Sequence, residues 1–220
     1  MNASGRPSPG DALGLPHWID AAADALVGQG WFHRPNAIPA ATVARLADDL
    51  DALIDADRLR RAGIGRDTDF QLDGDVRRDW IFWMNRARPV QAAFLDACEQ
   101  LRLALNRRLF LALFEFEAHL ALYPPGAFYK AHFDSFRGAA NRMVSLVIYL
   151  NRDWRPGDGG ELLLRATGPS VRIAPRAGSL LLFMSEEIEH EVLATRRPRA
   201  SVAGWFRLNN TSAEVVDPPR

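Results

Sequence analysis

His132-Phe133-Asp134 sets an imidazole and a carboxylate two residues apart. On an extended strand such residues share a face, so both could reach one metal ion. The triplet alone is weak, because a chain with 5 His and 18 Asp in 220 residues produces it often by chance. A third donor follows at His190, which closes the acidic run Glu186-Glu187-Ile188-Glu189 and is read as opening a strand. Two His and one carboxylate on one face of an octahedral ion leave three positions open. That suits non-haem Fe(II), which must also hold a cosubstrate and dioxygen. Nine residues beyond His190 stands Arg199. A guanidinium stays charged at all relevant pH and grips a carboxylate through two parallel hydrogen bonds. A 2-oxo dicarboxylic acid could chelate the metal at one end and offer its far carboxylate to such an arginine.

These residues need rigid elements beneath them. From about residue 114 the sequence reads as strands. Glu115 to Tyr123 alternates, with Phe116, Ala118, Leu120 and Leu122 on one face and Glu115, Glu117 and His119 on the other. Further strands are expected at 143–150, 161–165, 171–173, 179–184, 191–194 and 201–208, separated by Gly, Pro, Asn and Asp clusters. Upstream, helical spacing is expected at 18–27 with Gly28 as its stop, at 40–60, and from Pro89 through Leu105. The pattern predicts an α+β fold: a double-stranded β-helix (jelly-roll) core braced by N-terminal helices. One domain is expected over 1–220. Residues 1–110 give mainly helical support, 111–210 the catalytic core, and 1–16 and 211–220 flexible ends.

Bulk properties narrow the function. The 27 basic and 27 acidic residues balance, so charge argues for neither a nucleic-acid nor a membrane partner. The basic residues are 26 Arg and one Lys, Lys130, so pairs such as Arg60-Arg61 and Arg196-Arg197 read as solvated faces. Cys98 stands alone, which excludes an internal disulfide and a Cys-based zinc knuckle. No apolar run approaches the roughly 18 residues of a membrane span, and residues 1–10 lack the apolar stretch of a signal peptide. A cytoplasmic protein is expected.

As an ordered set, the motifs resemble the catalytic domain of 2-oxoglutarate oxygenases of the prolyl-hydroxylase type, close to the oxygen-sensing prolyl hydroxylases of animals and their bacterial relatives. The resemblance rests on Tyr-Pro-Pro-Gly-Ala-Phe-Tyr-Lys-Ala-His-Phe-Asp (123–134), Arg-Met-Val-Ser-Leu-Val-Ile-Tyr-Leu-Asn (142–151) and Trp154. It continues through Gly159-Gly160-Glu161-Leu162, Pro175 to Phe183, His190-Glu191-Val192 and Arg199-Ala-Ser-Val-Ala-Gly-Trp-Phe-Arg207. It extends more loosely to 61–66 and 77–83.

The resemblance implies that His132, Asp134 and His190 bind Fe(II), and that Arg199 pairs with 2-oxoglutarate, joined by the Tyr149 hydroxyl. Tyr129 would line the oxo-acid pocket and Tyr123 would lie near the iron, in a segment one residue shorter than in the animal enzymes. Arg142 and Trp205 would meet the substrate proline and its backbone. Arg77 and Asp79 would belong to a segment, within 61–84, that folds over the substrate; Arg78 stands where the animal enzymes carry Gly. The implied reaction hydroxylates a prolyl residue of a protein and releases succinate and carbon dioxide, with ascorbate as reductant.

Alternatives stay open on the residues alone. An oxygenase acting on a free amino acid or another small molecule would use the same donors, and so would a non-catalytic jelly-roll metal-binding module. Nucleic-acid dealkylating relatives carry a second Arg six residues after the oxo-acid Arg, where this chain has Trp205. Arg142 could equally form a structural ion pair and Trp205 could belong to the core. His17, His33 and His119 read as structural or surface residues. Trp80, Phe82 and Trp83 could form a substrate platform but read first as core, and 186–191 reads as a solvated loop.

Overall fold

Apolar residues at helical spacing fold the first half of the chain into a brace. Helix α1 (Ile19–Gln29) ends at Gly30 in the left-handed region, two residues past the expected stop at Gly28. Helix α2 (Ala40–Asp55) buries Val43, Leu46, Leu50 and Leu53 on one stripe and stops short of residue 60. Helix α3 (Pro89–Leu109) opens on proline, whose missing N–H costs nothing in the first turn. It closes at Phe110 in the left-handed region. The Asn106 side chain secures that end by bonding both the N–H and the carbonyl of Leu113 at 2.8 Å.

The computed structural model describes residues 12–63, 73–135, 141–166 and 168–209. Residues 1–11 and 211–220, expected to be flexible, lie outside these, as do residues 64–72 of the segment 61–84. Residues 12–16 contradict the expectation for the N-terminus, because Leu13 and Leu15 are buried in the core.

Eleven strands form two antiparallel sheets among the described residues. The larger contains β1 (Trp31–Arg34), β2 (Arg60–Arg61), β3 (Trp80–Trp83), β4 (Glu115–Tyr123), β6 (Arg142–Tyr149), β9 (Leu180–Met184) and β11 (Arg199–Arg207), in the order β1-β9-β6-β11-β4-β3-β2. The smaller contains β5 (Tyr129–His132), β7 (Leu162–Arg165), β8 (Val171–Ile173) and β10 (Glu189–Val192), in the order β5-β10-β7-β8. This is the expected jelly-roll core with helices against it.

One face of the larger sheet meets the helices. Leu120, Leu146, Ile148, Leu182, Val202 and Phe206 pack there with residues such as Leu46, Leu50, Phe94 and Leu101. The other face turns to the smaller sheet, where Val147, Tyr149, Leu181 and Phe183 meet Leu162, Leu164 and Ile173. The central strands are thus covered on both sides.

Three local expectations fail. Residues 189–192 are a strand rather than a solvated loop, because Glu189 and Glu191 flank Arg165 on the neighbouring strand. Trp80 and Trp83 are 36% and 43% exposed, and of the aromatic trio Phe82 alone packs against the core. Strands β1 and β3 were not anticipated. Each is short, and its alternation is hidden by aromatic and charged residues on both faces.

Candidate active site

The two histidines meet because their strands do. β10 pairs with β5 so that His190 stands directly opposite His132, and the ring centroids lie 4.2 Å apart. Each ring is turned by its own backbone. His132 Nδ1 lies 2.7 Å from the Lys130 carbonyl and His190 Nδ1 lies 3.3 Å from the Ile188 carbonyl. A carbonyl can only accept, so each Nδ1 carries the proton and each Nε2 keeps its lone pair. Asp134 completes the group. Its carboxylate lies 3.6 Å from His132 Nε2 and 3.7 Å from His190 Nε2.

His190 sits within its strand, not at the start, and Asp134 does not share β5 with His132. The strand ends at His132, and Asp134 lies two residues beyond. The Ser145 hydroxyl reaches it from β6 at 2.6 Å.

Protonation suits a metal. Burial pushes His190 down to about 4, with the Asp134 charge opposing the shift. Burial alone would raise Asp134, but His190, His132 and Arg142 override it and hold the carboxyl well below its usual range. His190 therefore stays neutral and Asp134 stays anionic near neutral pH, as cation binding requires. One donor atom from each of the three residues can be chosen so that all lie within 4.8 Å of one another. Two imidazoles and a carboxylate fit a ferrous ion with positions left open for other ligands.

The second half of the site is cationic. Arg199 opens β11 and is 3% exposed. Its Nε donates to the Gly160 carbonyl at 2.8 Å and its Nη1 to the Ser201 hydroxyl at 3.2 Å. No carboxylate among the described residues pairs with it. Gly160, at φ +74°, makes the fit possible: a Cβ there would stand 3.0 Å from Arg199 Cδ and 3.1 Å from the Thr195 side chain. The Tyr123 and Tyr149 rings lie 4.8 and 5.1 Å from the guanidinium carbon. The Tyr149 hydroxyl is buried and has no hydrogen-bond partner among the described residues. Burial pushes its pKa up, against the pull of Arg199. A buried cation without an anion and a buried hydroxyl without a partner together fit the free carboxylate of an oxo-acid.

A run of contacts joins the two halves. Tyr129 stacks on His132 at 3.6 Å between centroids, and the Arg77 guanidinium sits 4.4 Å from the Tyr129 ring. Arg77 is held by two 2.7 Å bonds to buried Asp79. Burial opposes the Arg77 charge, but Asp79 more than compensates and its pKa is raised. Tyr123 and Tyr129 share a cluster with Ile81 and Val192. Phe183 closes the other side, edge-on to His190 at 4.6 Å.

Arg142 and Trp205 also come together. The guanidinium carbon lies 3.5 Å from the Trp205 ring centroid, and Glu117 accepts bonds from Arg142 Nε and Nη2 at 2.9 and 2.7 Å. Arg142 thus has its ion pair, and its charge also favours the ionised form of Asp134. Trp205 is buried but not part of the main core, and its Nε1 lacks a partner among the described residues.

Sequence reasoning missed Glu117, Ser145 and Ser185, and read His119 as structural or on the surface. His119 is buried beside Trp83 and Trp205, with ring centroids at 5.2 and 5.4 Å. Burial lowers its pKa to about 4. The signal was present: Glu117 and His119 alternate with the core residues of β4, and on the opposite face they are buried against side chains of neighbouring strands, Arg142 for Glu117 and Trp83 and Trp205 for His119.

A family model described as the 2OG-Fe(II) oxygenase superfamily matches residues 118–207. A prolyl-4-hydroxylase from Pseudomonas putida superposes with a TM-score of 0.81 and 40% identity, over 86% of this chain and 99% of that one. A prolyl hydroxylase from Trichoplax adhaerens, in complex with a hypoxia inducible factor peptide fragment, gives a TM-score of 0.79 at 22% identity, over 87% and 89%. Prolyl 4-hydroxylases from Phytophthora capsici give 0.73 at 21% identity, over 99% and 70%. The last two likenesses speak to the fold.

Proposed function

The chain belongs to the 2OG-Fe(II) oxygenase superfamily, and on that premise we propose that it hydroxylates a prolyl residue in a protein substrate while 2-oxoglutarate becomes succinate and carbon dioxide. The observation that carries the substrate assignment is Arg142, pinned by Glu117 flat against Trp205 and close enough to the metal donors to bias the Asp134 charge. A cation and an indole beside the reacting centre suit a peptide carbonyl and a proline ring. The 40% identity to a bacterial prolyl-4-hydroxylase supports the same reading.

His132, Asp134 and His190 would hold the iron. When bound, Fe(II) supplies dioxygen activation coupled to oxidative decarboxylation of the oxo-acid. Arg199 and the Tyr149 hydroxyl would grip the far carboxylate of the oxo-acid and so orient it. Tyr129 packs His132 in place, and Tyr123 walls the pocket beside Arg199. Arg77, set by Asp79, covers Tyr129 and bounds the substrate side. The two sheets exclude water from Arg199 and Tyr149, which strengthens both interactions.

Ascorbate as the reductant and a cytoplasmic location belong to the same proposal. No helix among the described residues is long and apolar enough to cross a membrane. The test incubates the protein with Fe(II), 2-oxoglutarate, ascorbate and a proteome extract and maps added oxygen by mass spectrometry. Oxidation at proline, absent with His132→Ala, is expected. Oxidation confined to free metabolites would overturn the protein-substrate assignment.

A further inference from the structure

The three donors differ in how they are held. His132 and His190 lie on paired strands, whereas Asp134 follows the end of β5 and belongs to no strand. Something else must fix its carboxylate. Among the described residues, the larger sheet offers it one hydrogen bond, from Ser145 Oγ to Asp134 Oδ2 at 2.6 Å. Ser145 lies mid-strand on β6, with Trp205 opposite on β11 and Phe183 opposite on β9. Behind it is Ser185, whose hydroxyl lies 2.9 Å from that of Ser145. Both serines are buried.

The direction of these bonds follows from charge. Asp134 is ionised and can only accept, so the single Ser145 hydroxyl proton goes to it. Ser185 must then donate to Ser145. The result is a one-way relay, Ser185 to Ser145 to Asp134, in which each bond polarises the next. The 2.6 Å contact has the length of a charge-assisted O–H···O⁻ bond. The Ser185 backbone is itself fixed, its N–H bonding the Met143 carbonyl at 3.0 Å.

We infer that Ser145, backed by Ser185, is a positioning residue that clamps the Asp134 carboxylate from the opposite sheet and so fixes its orientation toward the two imidazoles, whose Nε2 atoms lie 3.6 and 3.7 Å from its oxygens. This rests on the reading of His132, Asp134 and His190 as metal ligands. Without the clamp the carboxylate rotates on a segment that no strand constrains. With it, the third ligand is as well aimed as the two histidines.

The test uses the full chain and Co(II), whose visible absorption reports ligand geometry. Affinity is measured by competition with a chelator, and melting is followed without metal. Ser145→Ala is expected to weaken Co(II) binding about 10- to 100-fold, the usual cost of losing a partner to a metal ligand, and to change the absorption bands while metal-free melting holds. Ser145→Thr, which keeps the hydroxyl, should restore both. Ser185→Ala should give a smaller loss with shifted bands. Wild-type affinity and spectrum in Ser145→Ala would overturn the inference. Should that variant fail to fold, an unchanged spectrum in Ser185→Ala does the same. Absence of Co(II) binding by the wild type would instead overturn the metal reading on which the inference stands.

Discussion

Replacing Tyr149 with phenylalanine should move stability and affinity in opposite directions. The hydroxyl is fully buried and has no partner among the described residues, while its ring packs between the sheets. A buried polar group without a partner costs about 1–3 kcal/mol. Tyr149→Phe removes that cost and keeps the ring. At about 2–4 °C per kcal/mol for a chain of this size, the ligand-free variant should melt at or a few degrees above the wild type. Binding 2-oxoglutarate uses the same hydroxyl. A hydrogen bond to a charged group is worth about 1.5–3 kcal/mol, and about 1.4 kcal/mol is tenfold, so affinity should fall about 10- to 100-fold. Differential scanning calorimetry on the metal-free protein gives the first quantity. Calorimetric titration of 2-oxoglutarate into the Mn(II)-loaded protein gives the second. A variant that melts several degrees lower yet binds the oxo-acid normally would refute the reasoning, because the hydroxyl would then serve the fold rather than the ligand.

Other expectations follow from neighbouring residues. His132→Ala should abolish metal binding, whereas Arg199→Ala should keep the metal and weaken 2-oxoglutarate by at least tenfold, both read by titration. Glu117→Gln removes the charge that holds Arg142 over Trp205, so KM for a peptide substrate should rise severalfold while 2-oxoglutarate affinity stays put; steady-state kinetics decide it. His119 has its pKa depressed from 6.5 to about 4, chiefly by burial. Below pH 6.5 the unfolded chain therefore takes up a proton that the native state refuses. Stability of the metal-free protein should fall as pH drops from 6.5 toward 4, by on the order of 3 kcal/mol from this residue, with His190 acting in the same direction. Urea midpoints at pH 7 and 4.5 should converge in His119→Leu relative to the wild type.

The strands of the second half were legible because each alternates and is bounded by turn residues, and Glu115–Tyr123 and Val171–Ile173 fall where expected. The metal donors were legible because their types and order restrict the chemistry, even though Asp134 is not on the strand expected. What sequence could not show was the partner of each side chain. Ser145 is an ordinary strand serine until β5 delivers Asp134 to it. Glu117 and His119 alternate like surface residues, and only the fold brings Arg142, Trp83 and Trp205 from neighbouring strands over them. The sequence leaves Arg142 open between ion pair and substrate contact; the geometry shows the ion pair, with Glu117 holding the guanidinium edge over Trp205. Short strands such as β3 escaped because four residues with Trp at both ends carry no usable period.

The Lys130 carbonyl that orients His132 belongs to the chain's one lysine, and the side chain of that residue is exposed. A lysine-directed endoprotease therefore has a single side chain to recognise, and its bond lies inside β5, two residues before the first metal donor. That bond is shielded on both flanks, by pairing with β10 and by the Lys130 N–H bond to the Val76 carbonyl at 2.9 Å. Cleavage requires the strand to detach, so its rate counts openings of the donor strand. The molecule carries a built-in clock for its own site: two fragments accumulating quickly mean a loose strand, and a cation that staples His132 to His190 should slow them in proportion to its occupancy.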